Sequence, residues 1–65
     1  MAHTYHETYV SSAEYASESE ALKVLNSIRE AHPARHGWRE IRGFVQPLPN
    51  GKYKAVREHE KLCND

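Results

Sequence analysis

A single cysteine, three glycines, one tryptophan and one phenylalanine are all that 65 residues contain of those types, and the formal net charge is zero. Each scarcity excludes something. With Cys63 alone, no disulfide can form within the chain, and a lone thiol suits a reducing compartment. Gly37, Gly43 and Gly51 are isolated, so there is no glycine-rich phosphate loop. No apolar run reaches the length of a secretory signal core, let alone the roughly 20 residues of a membrane span. The start, Met1-Ala2-His3-Thr4-Tyr5-His6, is polar. The expectation is a soluble, cytoplasmic chain with no membrane association. A chain this short builds one domain and buries only about 60% of the surface its unfolded form exposes. Such domains are marginal and often gain stability by self-association.

What charge there is lies unevenly. Residues 1–20 carry Glu7, Glu14, Glu18 and Glu20 and no Lys or Arg, a local charge of −4. Residues 33–57 carry Arg35, Arg39, Arg42, Lys52, Lys54 and Arg57 against Glu40 alone, a local charge of +5. This asymmetry fits either an internal pairing of the two stretches or a docking surface for a charged partner.

The Thr-, Tyr- and Val-rich residues 3–10 suit a strand. Residues 17–32 carry the helix signal. Ser17 with Glu20 is a capping-box pattern, and Glu18 and Glu20 favour the positive end of the helix dipole. Ala21, Val24, Leu25 and Ile28 recur at helical spacing as one apolar stripe, widened by Leu22. Pro33 ends the helix. Residues 38–48 and 52–59 read as two further strands, and residues 60–65 as a loosely ordered tail. Between these strands, Asn50-Gly51 is a strong signal for a two-residue type I′ hairpin turn.

The order strand, helix, strand, strand leaves few arrangements. The expected fold class is α+β: a single small β-α-β-β domain with one helix packed on a three-stranded antiparallel sheet of order 1-3-2. That is half of a ferredoxin-like unit. The alternative sets the first two strands side by side and parallel.

A two-residue turn pairs Leu48 with Tyr53, Val45 with Val56 and Phe44 with Arg57. Alternation then gathers Ile41, Gly43, Val45 and Val56 on one face, and Trp38, Arg42, Phe44, Leu48, Tyr53, Ala55 and Arg57 on the other. One helix covers one face only. If it covers the Ile41 and Val45 face, the open face is aromatic and basic. Its candidate binding residues are then Trp38, Arg42, Phe44, Tyr53 and Arg57, which could stack bases and neutralise phosphates or meet a protein partner. If it covers the other face, those rings are core.

No constellation carries catalysis. His3 and His6 alternate across a strand, His32 and His36 straddle Pro33, and no Cys/His set has metal-site spacing. His59 and Cys63 would meet only on a helix, and no third group orients them. Neither a catalytic residue, a metal nor a cofactor is expected. The leading functional expectation is a non-enzymatic protein-interaction module, an accessory or regulatory factor. Its partner would be a second copy bound through the sheet, a homodimer, or another protein. The alternative is a small nucleic-acid binder using the basic, aromatic hairpin face, although a net charge of zero weighs against it.

Overall fold

Alternating Tyr and Thr side chains open the chain as strand β1 (Ala2–Val10), a pattern that favours pleated backbone. The computed structural model describes residues 2–64, with side chains for residues 3–61. After β1 come helix α1 (Glu18–Ala31), strand β2 (Trp38–Pro47) and strand β3 (Tyr53–Asn64). The three strands form one antiparallel sheet of order β1-β3-β2, with α1 packed on one face, the expected α+β architecture. Among the described residues no helix is long and apolar enough to cross a membrane.

The helix begins where its cap dictates. Ser17 is extended, and its hydroxyl accepts from the Glu20 amide at 3.1 Å, satisfying one of the unpaired donors of the first turn. Ala21 and Leu25 are buried, while Val24 and Ile28 are half-buried. His32 closes the helix with its amide on the Ile28 carbonyl at 2.7 Å.

Three features differ from the sequence expectation. First, the hairpin is not a two-residue turn. Leu48 to Lys52 form a longer connection: the Gly51 amide donates to Leu48 O at 3.1 Å, and the Leu48 amide donates to Lys52 O at 2.8 Å. Only Gly51 takes positive φ, at 82°, and Asn50 does not, so a type I′ turn is excluded. Pro49 fits the first central position of a type I turn, where its fixed φ is already correct. Val45 therefore pairs with Ala55 and Phe44 with Val56, one residue out of the anticipated register.

Second, β2 carries a bulge. Glu40 pairs with His59 and Arg42 with Glu58, leaving Ile41 without a partner. The bulge switches sides, so Trp38 and Glu40 share a face with Gly43 and Val45. Third, the tail is strand. Residues 60–64 pair with residues 2–6 of β1, and this ladder orders a segment whose own composition does not favour a strand.

Opposite residues of an antiparallel pair share a face. The helix side thus holds Trp38, Glu40, Gly43, Val45, Tyr53, Ala55, Arg57 and His59 from β2 and β3, and Tyr5, Glu7 and Tyr9 from β1. The open side holds Arg39, Arg42, Phe44, Val56, Glu58 and Glu60, with His6, Thr8 and Val10.

The shape is long and thin. The principal extents are 44 × 25 × 15 Å, and the radius of gyration of 13.6 Å exceeds the roughly 11 Å of a compact chain this size. A 14-residue helix is only about 21 Å long, whereas 12 residues of strand run about 40 Å. The helix consequently leaves much of the sheet bare. It packs on β2 and β3, and among the described residues no Cα of α1 comes within 8 Å of a Cα of β1.

Candidate interaction surface

Helix placement decides what is exposed. Because α1 sits over β2 and β3, the helix-side face of β1 has no roof. Tyr5 is 52% exposed and Tyr9 43% exposed there, and Val10 on the other face is 50% exposed. These are large apolar surfaces in so small a domain. Between this shelf and the helix lies a cavity of about 280 Å³, lined by Leu25 and Ile28 of α1, Tyr9 of β1, and Ala55, Arg57 and His59 of β3. The Tyr9 ring meets His59 edge-on, with centroids 5.1 Å apart.

Beneath the helix the face is polar. Glu40 accepts from Arg29 Nε at 2.7 Å and from Arg57 Nε at 2.7 Å. Arg57 is only 7% exposed, and its Nη1 also donates to the His32 carbonyl at 2.8 Å, where the helix ends. Burial pushes the Glu40 carboxyl up. The Arg57 hydrogen bond, together with the charge and hydrogen bond of Arg29, outweighs burial and holds it below the ordinary carboxylate range. His59 is 5% exposed, and its Nε2, 3.9 Å from Glu40 Oε1, has no hydrogen-bond partner. Gly43 makes room for this cluster: a Cβ there would collide with the Arg29 guanidinium.

At the rim, Glu7 accepts from the Tyr9 hydroxyl and from Arg35 Nη2. Those two bonds, that from Tyr9 foremost, lower the Glu7 carboxyl, and the same bond raises the Tyr9 phenol. On the open face Arg42 donates to Glu58 at 2.8 Å and stacks over Phe44 at 4.7 Å, while Arg39 pairs with Glu60. Phe44, Val56 and Val10 form one apolar row across the three strands.

The five residues singled out from the sequence do not share a face. Arg42 and Phe44 lie on the open side. Trp38, Tyr53 and Arg57 lie on the helix side, with Arg35 stacked on Trp38 at 4.5 Å and Arg57 buried. The charge asymmetry is met mostly by acids near the basic stretch or within it. Arg39, Arg42 and Arg57 pair with Glu60, Glu58 and Glu40, and among the described residues only Arg35 reaches an acid of the first 20 residues, Glu7. Residues that the sequence reading passed over, Tyr5 and Tyr9, form the most exposed aromatic surface. The period-two alternation of β1 was their only signal.

The Ser11 hydroxyl accepts from the Ala55 amide at 3.1 Å and donates to Ala13 O at 2.9 Å, which occupies it structurally. His59 and Cys63 lie on a strand, where four residues span about 13 Å, so the helical spacing that would join them is absent; the Cys63 side chain lies outside those described. Among the described residues no three His, Cys, Asp or Glu gather closely enough to hold a metal ion. Comparison with protein-family models, with curated proteins and with solved structures found no match to the chain.

Proposed function

We propose that this chain is a small non-enzymatic interaction module that self-associates through its sheet. One observation carries the reading: the helix covers β2 and β3 and leaves its side of β1 bare, with Tyr5 and Tyr9 about half exposed there and Val10 half exposed on the other face. Among the described residues the buried apolar set is correspondingly small, Ala21, Leu25, Ala55 and Val56. A domain that retains so little core gains most from covering its remaining apolar surface with a second copy. Charge does not oppose this, since the chain is neutral overall and the Arg residues of the sheet are already paired.

The nucleic-acid alternative draws less support. Arg57 is buried against Glu40, and Arg39 and Arg42 would have to exchange Glu60 and Glu58 for phosphates. Rotational correlation times from amide nitrogen relaxation test the self-association reading. They should roughly double between dilute and high-micromolar samples. A correlation time that stays at the value of one chain across that range would overturn it.

A further inference from the structure

The sheet has two free edges, and they differ. The β2 edge is interrupted by the bulge at Ile41, ends at Pro47 and carries Arg39, Glu40 and Arg42. Bulges, prolines and charges are the devices that keep an edge from pairing. The β1 edge has neither bulge nor proline. It runs nine residues without a bulge in its ladder to β3, contains no proline, and has one charged residue, Glu7, whose carboxylate is already engaged by Arg35.

Which backbone groups face outward follows from one hydrogen bond. The Ser11 amide donates to Ala55 O at 2.9 Å, so in continuing register the odd-numbered residues of β1 turn their amides and carbonyls toward β3. The even-numbered residues Thr4, His6 and Thr8 turn theirs outward, toward the free edge. We infer, resting on the self-association reading above, that these groups pair with the same strand of a second copy. The product is a continuous six-stranded sheet of order β2-β3-β1-β1-β3-β2.

A second copy is the occupant the strand itself selects. Antiparallel pairing of a strand with itself is two-fold symmetric, and only registers that keep like faces together set the exposed rings of the two copies side by side on one face. Centring the two-fold on His6 pairs all nine residues, Ala2 opposite Val10 and Thr4 opposite Thr8. It sets Tyr5 beside the second copy's Glu7. Centring on Glu7 would set two carboxylates directly opposite, which destabilises a cross-strand pair. Centring on Tyr5 leaves Tyr9 unpaired. The His6-centred register therefore wins on both overlap and charge. Both helices then lie on one face, and the two β1 shelves join as a trough between them, floored by Tyr5, Glu7 and Tyr9 of each copy.

Amide exchange read by NMR on the wild-type chain, together with its mass, tests the inference. At high micromolar concentration the amides of Thr4, His6 and Thr8 should exchange at least about tenfold more slowly than on dilution. Thr8→Pro removes an outward donor but no bond to β3; it should reduce the mass to that of one chain while circular dichroism stays native. Phe44→Arg, on the open face, should leave the dimer intact. A dimer whose Thr4, His6 and Thr8 amides exchange freely, or a Thr8→Pro variant that still dimerises, overturns the edge assignment while leaving self-association standing. Should Thr8→Pro fail to fold, the wild-type exchange rates decide alone. A single-chain mass at every concentration refutes both readings.

Discussion

Replacing Glu40 by glutamine removes the negative charge that two guanidiniums share while keeping nearly the same side-chain shape. The Arg57 bond is charge-assisted and mostly shielded from water, so its loss costs about 1.5–3 kcal/mol, the usual range for hydrogen bonds to charged groups. The Arg29 side chain is 36% exposed, and solvent screening discounts its share to about 0.5 kcal/mol. Together these come to about 2–3.5 kcal/mol, a large fraction of the roughly 3–10 kcal/mol expected for 65 residues. Urea unfolding followed by circular dichroism at pH 7 measures it, with protein concentration held fixed because association couples to stability. Glu58→Gln is the control. It removes an ion pair with the well-exposed Arg42 and should cost under about 1 kcal/mol. The pH dependence supplies a second signature. The Glu40 carboxyl lies below its ordinary value when folded, so its contribution is fully present above the unfolded carboxylate pKa, about 4.3. It is lost as pH falls through the lower folded value. The stability gap between wild type and Glu40→Gln should therefore close on acidification below about pH 4. A cost below about 1 kcal/mol at pH 7, or a gap that persists unchanged into strong acid, would refute the claim that this charge ties the helix to the sheet.

Other perturbations probe different parts of the account. Leu25→Ala empties the centre of the helix stripe and should cost about 2–5 kcal/mol by chemical denaturation; a loss under about 1 kcal/mol would mean the helix is not seated as described. Gly43→Ala drives a methyl into the Arg29 guanidinium and should cost about 1–3 kcal/mol in thermal unfolding. The same change in an Arg29→Ala background should cost clearly less, and equal costs would break the proposed contact. Titration with single-stranded oligonucleotide at about 50 mM salt should leave Trp38 fluorescence unchanged, whereas quenching would restore the nucleic-acid reading.

Much of the fold was legible because its signals are local. The Ser17 cap and the Ala21, Val24, Leu25 and Ile28 stripe specify the helix, and short connections leave few topologies other than order 1-3-2. The register was not legible. Asn50-Gly51 satisfies a two-residue turn and the longer Leu48–Lys52 connection alike, and the outcome rests on Pro49 and on φ at Asn50. One residue of slip exchanges the faces, and the Ile41 bulge exchanges them again along β2. The C-terminal residues carry no strand signal of their own and are ordered by the partner ladder from β1. For the surface, Arg57 reads as one more basic residue in sequence. Its burial follows from Glu40, the one acid in the stretch 33–57, which proves to be the hub of the cluster. The bare β1 shelf depends on where the helix lies across the sheet, which periodicity does not encode.

Self-association is the central claim, and sedimentation equilibrium of the unmodified chain tests it most directly. A nine-residue strand pair falls at the small end of specific interfaces, so the dimer should be concentration-dependent. The weight-average mass should climb from the 7.5 kDa of one chain toward twice that value across the micromolar range. A mass fixed at 7.5 kDa up to about millimolar concentration would contradict the account, because the exposed Tyr5, Tyr9 and Val10 would then be surfaces that no second copy covers.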